Sequence, residues 1–196
     1  MKFTHTATVF ALILSAGAGQ AATLQFAATL TGAQEVPAVV TDAVGEALVT
    51  VDTTRETLSV DLSVMGISLM DLSDALVALP VGPIHLHNAP AGSNGPIVVP
   101  FSFDGLTYSD TLDGFDLTVE DVSYANAAAL AGSSVGFDDF LALMSGSEIY
   151  FNVHTDAFPG GELRGQLAPV PVPAAGGLLL GAVLAGVAVR RRRTRV

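Results

Sequence analysis

Leu58-Ser59-Val60-Asp61-Leu62-Ser63-Val64 alternates an apolar with a polar side chain at every step. Successive side chains of a β-strand leave opposite faces, so Leu58, Val60, Leu62 and Val64 face one way and Ser59, Asp61 and Ser63 the other. The same period of two runs outward along the chain. Residues 45–53 form the preceding strand, and Thr54-Arg55-Glu56-Thr57 reads as the hairpin between the two. Residues 23–30 make a first strand, and 83–88 and 97–103 flank a loop rich in Gly, Pro and Asn. Residues 148–155 and 162–167 flank 156–161, where Pro159-Gly160 suits the centre of a type II turn. Two stretches read as helical: 68–79, and 137–144 with Asp138 as its expected cap. Residues 104–131 give no clear pattern. About seven short antiparallel strands predict an all-β, two-sheet sandwich with one or two short helices; a closed barrel is the alternative.

Charge is unevenly spread. All 19 acidic residues lie between Glu35 and Glu162; of the eight basic residues only Arg55 and Arg164 fall between Lys2 and the five arginines that crowd positions 190–195. Nucleic-acid binding needs clustered cations, and this acidic middle has none. It suits a soluble domain that meets cations or saline surroundings. The chain has no cysteine, which excludes disulfides and thiolate chemistry.

Both ends read as addresses. Lys2, an apolar run through Val9–Leu14 and small residues up to Ala21 form a signal peptide over 1–21, with the cut after Ala21. The folded domain is then 22–168. A linker, 169–173, holds three prolines; residues 174–189 lack polar side chains, and 190–196 form a basic tail. As a helix, 174–189 spans about 24 Å, short of a hydrocarbon core of roughly 30 Å unless the flanking arginines snorkel. The positive-inside rule keeps those arginines cytoplasmic and places the domain outside the inner membrane. Val170-Pro171-Val172-Pro173-Ala174, an apolar helix and an arginine cluster together resemble a bacterial PEP-CTERM sorting signal of the VPLPA type, with Val172 where leucine is usual. That resemblance implies an exosortase-type protease as partner and delivery to the envelope or extracellular matrix. A plain C-terminal anchor is the alternative.

Three phrases of the middle resemble the CHRD family, whose repeat was first described in chordin. They are Leu30-Thr31-Gly32-Ala33-Gln34-Glu35-Val36-Pro37; Ile84-His85-Leu86-His87-Asn88-Ala89-Pro90-Ala91 with Asn94-Gly95-Pro96-Ile97-Val98; and Tyr150-Phe151-Asn152-Val153-His154-Thr155 followed by Pro159–Leu167. The departures are Asn88 where glycine is frequent and Leu163 where isoleucine is common. The resemblance implies an Ig-like or superoxide-dismutase-like Greek-key sandwich and no settled activity.

Chemistry concentrates on the polar faces of those strands. His85 and His87 share a face, as do Tyr150, Asn152 and His154, and Glu162, Arg164 and Gln166. If the strands are neighbours, these residues form one patch on the outer surface. Three imidazoles with Glu162 or water make a ligand set for one zinc or copper ion. The other reading has the histidines donating hydrogen bonds that fix strand pairing, and Arg164, a cation beside them, favours it. His-x-His on a strand resembles the copper/zinc dismutases, although those commonly use more histidines and a disulfide. The run Asp110, Asp113, Asp116, Glu120 and Asp121 offers carboxylates for calcium but lacks EF-hand spacing, and it reads rather as a solvated loop. No catalytic phrase stands out. Three functions therefore compete. The first is a non-catalytic envelope or matrix protein that binds extracellular polymer or other proteins. The second is a histidine-based metal protein, redox-active or not. The third, by analogy with chordin, is recognition of a secreted signalling protein.

Overall fold

The computed structural model describes residues 23–101 and 107–171. The expected signal peptide with Ala21, Val172-Pro173-Ala174 of the sorting motif, the apolar segment 174–189 and the basic tail lie outside the described residues. Among the described residues no helix is long and apolar enough to cross a membrane.

Three strands form a meander: β1 (Thr23–Thr31), β2 (Val44–Asp52) and β3 (Thr57–Met65). Their registers run without a break from Thr23↔Asp52 to Thr31↔Val44 and from Val44↔Met65 to Asp52↔Thr57. The β2–β3 turn is built by Asp52, whose Oδ1 accepts from the Thr54 and Arg55 amides at 2.9 Å each. Next come β4 (Ile84–Asn88), β5 (Ile97–Phe101), β6 (Thr107–Asp110), β7 (Gly114–Ser123), β8 (Ile149–Val153), β9 (Leu163–Gln166) and β10 (Ala168–Pro169).

The hydrogen-bonded order is β5-β4-β8-β9-β1-β2-β3-β7-β6, with β10 lying along β1. The two expected sheets are thus halves of one antiparallel curled sheet, joined where Thr31 of β1 pairs with Arg164 of β9. The ends of the order, β5 and β6, do not pair with each other, so among the described residues the strands form no closed barrel. Helix α2 (Tyr124–Ala131) packs against β5.

The alternating apolar residues bury as expected. Leu58, Val60, Leu62 and Val64 meet Phe115 and Leu117 of β7, and Phe26 and Leu30 of β1 join Phe151 and Leu163 in the same core. Each such side chain contributes about 1.5–3 kcal/mol by leaving water.

The helical expectations need correction. Residues 68–79 do not form one helix. They divide into a 3-10 turn, Leu69–Asp71, and a single α-turn, α1 (Asp74–Val77). The Asp71 carboxylate closes the first turn on the Ser68 amide at 2.8 Å, and buried Leu72 then bridges to Thr155 and interrupts the run. Helix α3 (Phe137–Ser145) is capped by Gly136; Asp138 lies within its first turn. Residues 104–131 hold β6, β7 and α2, so the acidic run is mostly strand and not a loop. Within it Asp121 pairs with Arg55 at 2.9 Å.

Candidate metal centre

The pairing of β4, β8 and β9 sets the histidines on a grid. One row runs His85, Asn152, Arg164 and Thr31 across four strands; the next runs His87, Tyr150 and Gln166. His154 lies two residues beyond Asn152, on the same face. These side chains share one face of the sheet, and that face is not the outer surface. His85 is 2 % exposed, His154 7 % and Arg164 1 %, and Tyr150, Asn152 and Glu162 are buried as well.

Loops cover this face, and Arg164 binds one of them. Its guanidinium donates to the carbonyls of Ser93 (2.8 Å) and Pro90 (3.0 Å), to Asn94 Oδ1 and to Gln166 Oε1. Gln166 Nε2 donates to the carbonyls of Ala89 and Ser147. Asn94 Nδ2 reaches Val36 O at 2.7 Å, tying the 89–96 loop to the 32–41 loop.

Each imidazole meets a loop carbonyl through Nδ1: His85 with Gly82 O (3.1 Å), His87 with Gly95 O (2.8 Å) and His154 with Pro159 O (2.9 Å); the Val81 backbone also hydrogen-bonds His85. A carbonyl only accepts, so for His87 and His154 these contacts assign the hydrogen to Nδ1 and leave Nε2 as a lone pair. The Nε2 atoms of His87 and His154 are buried without a partner. Burial depresses all three imidazoles: His85 to about 3, His87 to about 4, and His154 in the same direction. Mutual repulsion among the rings adds to the depression of His85 and His87.

The three histidines place their candidate ligand atoms within 4.8 Å of one another. Zinc–nitrogen bonds of about 2.0–2.1 Å bring tetrahedral ligands to roughly 3.3 Å apart, so modest side-chain rotation closes the trio on an ion. Neutral rings with Nδ1–H held by carbonyls are the usual outer arrangement of metal-binding histidines. The residues present thus fit a zinc- or copper-class ion.

Glu162 does not join them. Its Oε1 accepts from Thr41 and its Oε2 from Thr155, both at 2.7 Å. Arg164 lies 3.5 Å above the Tyr150 ring, which stacks on His87 at 4.8 Å. The acidic run does not assemble into a comparable cluster; the trio is the metal-capable group found among the described residues.

Sequence reasoning missed Glu35 as a site residue. It is 6 % exposed, and burial pushes its carboxyl up to about 7, with Arg164 pulling partly back. Its Oε1 and Asn152 Oδ1 are both buried without partners. Both lie 2.5 Å from where a Cβ on Gly161 would sit, and Gly161 has φ +120°, so glycine is needed there twice over. The one signal was a lone acid inside the phrase Gly32–Pro37. Gly95, named in the sequence only within the phrase Asn94–Val98, also serves the site. Its carbonyl serves His87, and a Cβ on it would collide with the Asn88 carbonyl.

Fold and site define a predominantly β domain with a buried polar layer and three imidazoles within it. The chain belongs to the CHRD domain family, whose model matches residues 26–167. No curated protein and no solved structure matches it.

Proposed function

We propose that this chain is an exported envelope or extracellular-matrix protein whose CHRD domain acts as a non-catalytic binding module built around one zinc- or copper-class ion. The observation that carries the metal reading is the pair of buried, unpartnered Nε2 atoms on His87 and His154, whose Nδ1 atoms are already engaged. A buried polar atom without a partner is costly, and a metal ion satisfies both nitrogens at once. His85, His87 and His154 would hold the ion, with Gly82, Gly95 and Pro159 carbonyls fixing the rings. The competing reading, histidines as strand-pairing donors, accounts for Nδ1 alone.

Export rests on the sequence of the two ends, with the inner membrane and an exosortase-type protease as the machinery and extracellular polymer or envelope proteins as neighbours. Metal analysis of protein purified without an affinity tag tests the metal reading. Wild type should carry about one ion per chain, and His87→Ala should lose at least tenfold in affinity. Absence of stoichiometric metal in wild type, after exposure to zinc and to copper, would end it. Mass spectrometry of the cell-derived chain tests the export reading: an N-terminus still at Met1 in the mature fraction refutes it.

A further inference from the structure

We infer that an ion held by His85, His87 and His154 keeps one coordination position for a small inorganic anion taken from solution. This rests on the metal reading above and goes beyond it. The donor set is electrically neutral: each Nδ1 hydrogen is committed to a carbonyl, so the rings bind as neutral imidazoles. No carboxylate belongs to the group whose ligand atoms lie within 4.8 Å of one another. Glu162, the acid that the sequence offers as a fourth ligand, has both oxygens accepting from the Thr41 and Thr155 hydroxyls. The trio itself therefore brings no charge to offset a divalent ion, and in the buried layer around it the Glu162 and Glu35 carboxyls are shared with the Arg164 guanidinium.

Uncompensated charge away from water is expensive, and an anion on the ion relieves it directly. Three protein nitrogens also leave a four-coordinate ion one place short, which is the arrangement of sites that exchange a ligand. Burial sets the size. His85 and His154 are buried and only His87 is half-open, so the occupant is an anion of a few atoms and not an organic substrate.

The experiment uses the full chain, purified without a tag and loaded with one equivalent of Cu(II). Sodium azide is titrated in while visible absorption and electron paramagnetic resonance are recorded. The expected result is a saturable azide-to-copper charge-transfer band at one azide per copper, with a matching change in the resonance spectrum. The band should vanish in His85→Ala/His87→Ala, whose fold is checked by circular dichroism. Copper bound one to one with a spectrum indifferent to azide overturns the inference and leaves the metal reading standing. The same spectral change on adding sodium perchlorate at equal ionic strength also overturns it, as does an undiminished band in the double variant. Failure of the wild type to take up copper or zinc removes both readings together.

Discussion

Replacing Glu35 by glutamine should stabilise the protein at neutral pH and change little in acid. Its Oε1 has no partner, and its carboxyl is displaced from an ordinary 4.5 to about 7, chiefly by burial. Below pH 4.5 the group is protonated in both folded and unfolded chains and contributes nothing. Between 4.5 and about 7 the unfolded chain ionises while the folded protein retains the proton, so stability falls as pH rises. Above that window the whole cost is present. At face value the displacement corresponds to about 3 kcal/mol, and solvent screening at the loop brings it to about 2 kcal/mol. Glutamine is neutral at every pH and supplies an amide donor toward Asn152 Oδ1, which sits beside Glu35 at Gly161. Urea unfolding followed by circular dichroism suits a chain without tryptophan. It should be run with chelator from pH 4.5 to 7.5, so that the histidines titrate alike in both proteins and cancel in the difference. The variant's advantage should grow by about 2 kcal/mol across that range. Profiles that stay parallel to within about 0.5 kcal/mol would refute the assignment of Glu35 as a buried, proton-retaining acid.

The imidazoles act in the opposite sense. Burial holds His85 at about 3 and His87 at about 4, and lowers His154 too, so their stabilisation is intact above pH 6.5 and is lost as pH falls from there through those values. Acid titration by circular dichroism should show zinc moving the unfolding midpoint to lower pH. Gly95→Ala, which forces the Gly95 carbonyl away from His87, should weaken zinc binding by about 10–100-fold in calorimetry while the far-ultraviolet spectrum is kept. Phe151→Ala empties a buried site stacked on Phe101 at 5.6 Å and should cost about 3–5 kcal/mol in urea melts.

The strands with clean alternation were legible because one of their faces meets an apolar core: β3 reads directly from Leu58, Val60, Leu62 and Val64. The same signal exists in β7, where Phe115, Leu117 and Val119 alternate, but the acids between and around them read as solvated loop. Helix α2 is short and alanine-rich and shows little amphipathic contrast; its local marks are only the Ser123 cap and Gly132 in the left-handed conformation. Residues 68–79 misled for a different reason. Ser68 and Asp71 announce a helix start, while the interruption comes from Leu72 bridging to Thr155, a contact remote in sequence. Period two also told which side chains share a face with His85 without telling whether that face is wet. Three loops decide that, and the loops read only as turns.

A buried polar layer has to be satisfied internally, and this one is left with a consistent remainder. The unpartnered atoms of the layer are Glu35 Oε1, Asn152 Oδ1 and Nε2 of His87 and of His154. With the histidine hydrogens on Nδ1, every one of them is an acceptor, so what these four atoms lack is a donor or a cation. Two separate additions meet the shortage: an ion for the imidazoles and a proton, or a glutamine amide, for the Glu35–Asn152 pair. Because Glu35 is outside the 4.8 Å ligand group, the two should act independently. Zinc and Glu35→Gln should then stabilise the domain additively at pH 7.5, to within about 0.5 kcal/mol in a double cycle of urea melts. A zinc increment that shrinks by more than about 1 kcal/mol in the variant would mean that Glu35 turns to ligate the ion, and the division of the layer into two independent sites would be wrong.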